Sequence, residues 1–222
     1  MRSILLALPL LILASPALAQ DEDSELWLIV SADIALGKNT EIDLEAISRF
    51  SDDSDGLYEA EFMGGVTRTV AKGVSIHGGY VRVVNYSRGD VTRGEDRFRV
   101  QLGLSGEAGP VKLSGRLRVE HRSVSTGDDT GYRFRPQIEA SLPLGDSAFS
   151  AFASHESLIP LNDTDWGEQA GYDRMRNLAG VSWKASDAID VEIGYLNQYR
   201  FGRGTRQDTM DHALWLSVGL SL

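Results

Sequence analysis

The sequence predicts an all-β fold, a transmembrane antiparallel up-and-down β-barrel of about 10–12 strands, and three observations carry that prediction. From Leu26 onward the chain is a succession of segments of ten to fifteen residues with alternating polarity, the period of a strand with one apolar face. Short and long connections alternate between the segments, as short periplasmic turns and longer external loops do in an outer-membrane barrel. The segments also match the roughly 9 to 11 residues a tilted membrane strand needs, where strands of soluble sheets usually run about 5 or 6.

Residues 1–19 precede the pattern. Arg2 supplies a positive start, Ile4 to Ala14 an apolar run and Ala17-Leu18-Ala19 a small-x-small cleavage site, which together read as a secretory signal peptide. The run is shorter than the roughly 20 residues of a spanning helix. Residues 20–222 then form a single domain, because no linker or shift of composition divides them.

Eleven segments follow in order: 26–36, 40–50, 58–71, 74–86, 95–106, 110–123, 131–143, 147–159, 172–184, 188–201 and 210–222. The first alternates from Leu26 and turns at 37–39. In the second, Ile42, Leu44, Ala46 and Phe50 oppose Asp43, Glu45 and Arg49. The third and fourth, joined by Lys72-Gly73, contain Gly64-Gly65 and Gly78-Gly79, where glycine suggests a bulge or tight curvature. In the fifth, Phe98, Val100, Leu102 and Leu104 oppose Arg97, Arg99, Gln101 and Ser105; in the sixth, Val111, Leu113, Leu117 and Val119 oppose Lys112, Arg116, Arg118, Glu120 and Arg122. The seventh puts Arg133, Arg135, Gln137 and Glu139 on one face. The eighth and ninth flank the longest connection, 160–171. In the tenth, Ile189, Val191, Ile193 and Tyr195 oppose Asp190 and Glu192, and the last alternates Leu214, Leu216, Val218, Leu220 and Leu222. Longer connections fall at 51–56, 87–96, 123–131, 160–171 and 202–209. An odd count implies that 26–36 is not a full member of the wall, leaving ten strands, or that a twelfth has been missed.

A charge at the bilayer midplane on the lipid face costs about 2–4 kcal/mol, so the charged faces must line the lumen. The lumen-lining bases are then Arg97, Arg99, Lys112, Arg116, Arg118, Arg122, Arg133 and Arg135. The acids are Asp43, Glu45, Glu59, Glu61, Glu120, Glu139, Asp190 and Glu192. Acids dominate the second and third segments and bases the fifth to seventh, so the two walls either pair across a narrow lumen or leave a basic surface that attracts anionic solutes. Pairing carries more weight, since buried charges need partners. Tyr58, Tyr80, Tyr86, Tyr132, Trp183, Tyr195, Tyr199 and Trp215 lie toward segment ends and suggest interfacial girdles.

Composition narrows the functional classes. With 32 Asp plus Glu against 22 Lys plus Arg, and 21 once Arg2 leaves with the signal, the net charge falls to 21 − 32 = −11, which argues against nucleic-acid partners. The chain has no cysteine, hence no disulfide, lipoprotein anchor or thiolate metal site. No cofactor or metal site is expected. SDDSDG fails as a calcium loop at Ser51 and Phe62, and the acidic loops at Asp52, Asp53, Asp55, Asp128, Asp129, Asp163 and Asp165 read as solvated. His121 in EHRS and His155 in SHES invite a catalytic reading, but no triad order can be specified and His121 shares the parity of the lipid face. No catalytic residue is assigned.

The loop Asn162–Gly167, the segment Gly171–Trp183, Gly194-Tyr195-Leu196-Asn197-Gln198-Tyr199 and the His212-containing closing segment, with Leu26-Trp27 and Glu45 to Phe50 earlier, resemble a family of bacterial proteins catalogued as a domain of unknown function and regarded as outer-membrane β-barrels. The resemblance spans most of the chain after residue 20 and implies address and architecture without an activity or ligand. The final Leu222 departs from the aromatic terminus of many such barrels.

The expected protein is thus an integral outer-membrane barrel, structural or a narrow passage for small solutes, anionic ones included. Its partners are membrane lipids and the barrel-assembly machinery. The competing readings are a rim-active lipid hydrolase and a soluble periplasmic β-sandwich.

Overall fold

The computed structural model describes residues 21–204 and 206–222, so the signal peptide expected at 1–19 lies outside the described residues. Eleven strands follow in chain order: β1 Asp21–Ala35, β2 Thr40–Ser51, β3 Gly56–Ala71, β4 Val74–Ser87, β5 Asp90–Ala108, β6 Val111–Val124, β7 Gly131–Pro143, β8 Phe149–Pro160, β9 Arg174–Lys184, β10 Ile189–Arg200 and β11 Thr209–Ser221. Each pairs antiparallel with its chain neighbours, and the wall closes where β1 lies beside β11.

That closure resolves the odd count differently from either expectation. The first segment is a full member, paired to β2 on one edge and to β11 on the other, and no twelfth strand is needed. With eleven up-and-down strands the first and last run in the same direction, so their ladder is parallel, from Asp21↔Thr209 to Asp33↔Ser221. Backbone bonds between Ala35 and Leu222 and between Leu222 and Asp33 finish the seam at the short-turn rim.

Strand alternation sorts the side chains into two environments. On β5, Arg97 and Arg99 are 6% and 7% exposed while Phe98 and Val100 between them are 59% and 63% exposed. The charged parity is therefore inside and the apolar parity outside, the reverse of a soluble sheet. Inside, Trp27, Ile29, Phe152, Leu178, Leu196 and Ala213 form an apolar cluster on the β1 and β8–β11 side, with Ile47 and Trp215 packed on it. Elsewhere charged side chains share the interior with Val81, Val83 and Leu158, which are 2%, 0% and 1% exposed.

Three details depart from the sequence reading. The connection expected at 87–96 is a two-residue turn, because Arg88 and Gly89 both take positive φ (51° and 86°) and close a hairpin directly. Gly65 and Gly79 face each other across β3 and β4 without a bulge; the bulges lie at Arg49/Phe50, Thr69/Ala71 and Asn85/Tyr86. A Cβ on Gly65 or Gly79 would come within 2.9 or 2.7 Å of His77 Nε2, so these glycines clear space for a buried imidazole. Of the expected girdle, Tyr80, Tyr132, Trp183 and Tyr195 are exposed outside, but Tyr58 hydrogen-bonds inward to Glu25 at 3.0 Å. Trp215 likewise meets Trp27 at 6.0 Å in the interior cluster.

Candidate functional site

The interior is a charge network built from neighbouring strands. Side chains directly opposite on one face of a ladder lie within about 5.5 Å of each other, and Glu120 on β6 sits opposite Arg133 on β7. Glu120, 1% exposed, accepts from Arg133 at 2.6 and 2.9 Å and from Arg135 at 2.9 Å. Arg135 turns its other edge to Glu156 at 2.8 Å, which also takes Arg116 at 2.7 Å and lies 3.6 Å from Arg176. On the other side Arg49 clamps Glu59 and Glu61, Arg97 bridges Glu61 at 3.2 Å and Glu95 at 2.7 Å, and Arg122 meets Glu95 at 2.5 Å.

Most bases are therefore neutralised from within their own side of the barrel, by Glu95, Glu120 and Glu156. Among the acids of β2 and β3, only Glu61 reaches a base of β5–β7, in contrast to the expected pairing of two walls. A side chain on an adjacent strand is simply nearer than one across the lumen. Asp43 instead holds His77 at 3.0 Å and Thr67 at 2.8 Å. Arg99 Nε–H in turn donates to His77 Nε2 at 3.3 Å, so a neutral imidazole links an acid of β2 to a base of β5.

Two guanidiniums are left with weak neutralisation. Arg99 has no carboxylate within 4.0 Å among the described residues, and Arg118 donates to the neutral Gln101 amide at 2.8 and 3.0 Å while its nearest carboxylate, Glu120, is 3.9 Å away. With Arg116, Glu45, Glu139 and Glu192 they line a cavity of about 210 Å³ in the middle of the lumen. Below it a cavity of about 430 Å³ opens toward the short turns and shares Arg116, Gln137 and Glu139 with it. Above it a cavity of about 330 Å³ shares Arg49, Glu61, Arg135 and Arg176. The three chambers are thus stacked in series with side chains between them. Lys112 and Asp190 lie apart, exposed near the short-turn rim.

The upper mouth is partly covered by the connection between β8 and β9. Trp166 lies beneath the guanidiniums of Arg93 and Arg122, at 5.0 and 5.1 Å, while its indole N–H donates to the Asp129 carbonyl at 2.9 Å. Glu168 pairs with Arg122. Asp165 accepts backbone N–H from Asp128 and Asp129 at 2.9 and 3.2 Å, and Asp129 accepts from Asp165 N–H at 2.7 Å. These donors, that of Asp128 foremost, hold the Asp165 carboxyl below its usual range. Its loop carboxylates, read from sequence as solvated, thus fasten one loop to another.

Several interior residues were not singled out by sequence. Trp27 lies between Arg49 and Arg176, whose guanidiniums stand 4.0 and 4.8 Å from its ring. Glu95 fell at the edge of a supposed loop, and Glu156 was overlooked beside His155. For Glu95 the signal is the parity shared with Arg97, whereas Glu156, between Ser154 and Leu158 on its face, has no second charge to mark that face. His121 lies outside, in a row of rings with Phe98 at 6.2 Å and Tyr132 at 5.6 Å.

Comparison with known proteins places the chain in a family. Residues 24–209 match the family described as "Protein of unknown function (DUF2490)", and the chain belongs to it. An uncharacterized protein of Methylorubrum extorquens is 36% identical over 146 residues, a match that spans 64% of this chain and 64% of that protein. Among solved structures, the NanC porin superposes with a TM-score of 0.53 at 11% identity, covering 86% of this chain and 94% of the porin. The fold is therefore a closed barrel of the outer-membrane porin type.

Proposed function

We propose that this member of the DUF2490 family is an integral outer-membrane barrel that provides a narrow, charge-lined passage for small anionic solutes. The observation that carries the reading is the stack of three chambers whose middle member is lined by Arg99 and Arg118, the two buried guanidiniums with the weakest carboxylate contacts. A guanidinium left without a close carboxylate attracts anions directly. The ion pairs of Arg49–Glu61 and Arg135–Glu156 separate the middle chamber from the upper one, so passage requires them to swing aside and the open state is small. An apolar exterior supports a lipid environment, because it would leave a soluble protein with an apolar belt facing water around its whole circumference. The porin likeness supports the same address.

Reconstitution of the purified barrel in a planar bilayer tests the reading. Small conductance with anion preference is expected, and Arg99→Gln with Arg118→Gln should reduce the preference while leaving the fold intact. A silent wild-type barrel, with the folded form verified by its heat-modifiable migration, would overturn the passage and leave a plugged structural barrel.

A further inference from the structure

We propose that Ser157, His155 and Asn177 form a serine-hydrolase triad on the outer face of the barrel, acting on the acyl ester bond of a membrane lipid. On a strand, residues two apart share a face, so His155 and Ser157 of β8 both point outward while Glu156 between them enters the lumen network. Asn177 of β9 is the ladder partner of His155. His155 Nδ1 lies 2.7 Å from Asn177 Oδ1 and its Nε2 lies 3.2 Å from Ser157 Oγ. With Nδ1–H donating to the amide oxygen, Nε2 is left as the acceptor for the serine proton, the order of groups a nucleophilic serine needs. A fourth group converges on the same atom: the Tyr172 hydroxyl is 2.8 Å from Ser157 Oγ, and its ring is braced against Phe201 at 5.2 Å.

Position selects the substrate class, and this step rests on reading the outer face as lipid-facing. Phe149 and Trp183 stack near the short-turn rim at 6.2 Å. Ser157 lies eight residues (157 − 149) further along β8, about 21 Å up the barrel axis at roughly 3.4 Å per residue and 40° tilt. That is near the top of an apolar band about 25 Å tall, at the depth where acyl chains meet their ester carbonyls. Below the triad, Ala140, Ala153 and Ala179 are successive ladder partners on the outer face, a shallow track beside exposed Ile138 along which an acyl chain can lie.

The chemistry balances without a further reactant except water. Ser157 Oγ attacks the ester carbonyl carbon as its proton passes to His155 Nε2, and the Tyr172 hydroxyl donates to the resulting oxyanion. The carbon–oxygen bond to the glycerol breaks, and the leaving alcohol takes the proton from His155. Water, deprotonated by His155, then attacks the acyl-serine, the ester bond to Ser157 Oγ breaks, and His155 returns the proton to that oxygen as the fatty acid leaves. Asn177 is a positioning residue that fixes the imidazole tautomer.

The folded barrel in detergent should be labelled covalently by a fluorophosphonate probe, at Ser157 by peptide mass spectrometry, and should release fatty acid from vesicles of 1-palmitoyl-2-oleoyl-phosphatidylglycerol. Ser157→Ala should abolish both, with a loss of at least about 10³-fold in turnover. His121→Ala should change neither. Asn177→Ala should lower turnover by at least about 10-fold, because the imidazole loses the group that fixes its tautomer, and Asn177→Asp, which keeps an acceptor for Nδ1–H, should restore it. Hydrolysis of soluble p-nitrophenyl butyrate without fatty-acid release would overturn the lipid assignment and leave the triad. No labelling of the folded protein would overturn the triad, whether or not the barrel conducts.

Discussion

Glu120→Gln is the sharpest test of the interior. The substitution keeps size and shape but removes the one carboxylate within 4.0 Å of Arg133 among the described residues, while Arg135 keeps Glu156. Arg133 is 5% exposed, so its charge would be left in the wall of the barrel with a neutral amide in place of its partner. Breaking a buried pair by removing one member costs about 3–5 kcal/mol, because the other charge stays desolvated. Unfolding in urea from lipid vesicles, followed through the four tryptophans, should therefore show a loss of about that size. Asp190→Asn, at the exposed rim, should stay within about 0.5 kcal/mol of the wild type. The double variant Glu120→Gln with Arg133→Met should recover most of the loss, since removing both partners leaves no orphan. A Glu120→Gln barrel within 1 kcal/mol of the wild type would refute the claim that Arg133 depends on this carboxylate.

Further expectations follow from the loops and the outer face. Val100→Arg, on an outward site 63% exposed, should destabilise the barrel in lipid by about 2–4 kcal/mol; an unchanged stability would mean that this face does not meet lipid. A Cβ at Gly131 would fall 2.6 Å from the Trp166 ring, so Gly131→Ala should displace the indole, shift tryptophan emission to the red and open residues 161–173 to limited proteolysis. The Asp165 carboxyl titrates below its usual range, so the hold between the two loops is full above the unfolded value of about 3.9. It is lost as pH falls through the depressed folded value. Trp166 emission should be constant from pH 8 to 6 and change only in strong acid, and Asp165→Asn should remove that acid step.

Alternation was legible because it has one cause, the strand pleat, which writes itself into every second residue. Segment limits on β2, β4, β6 and β7 consequently fall within one or two residues of the observed strands. Closure was not legible, since the seam joins residues nearly the whole chain apart and no local pattern reports a parallel partner. The hairpin at Arg88–Gly89 was hidden by charged residues that resemble a loop but belong to strands projecting past the rim. In the interior, parity identified which side chains turn inward but not who pairs with whom. Register decides that, and register is what sets Glu120 opposite Arg133 and His155 opposite Asn177. His77 shows the limit most plainly, because only the facing pair Gly65↔Gly79 reveals that the glycines serve an imidazole rather than a bend.

The parallel seam also fixes a vectorial property of the protein. An even number of crossings returns a chain to the side from which it started, whereas eleven crossings do not. The beginning of β1 stands at the rim of the longer loops and the end of β11 at the rim of the short turns. In a bilayer those rims face different aqueous compartments, so the two ends of the wall stand on opposite sides of the membrane, with the charged Glu22 and Asp23 on the side of the longer loops.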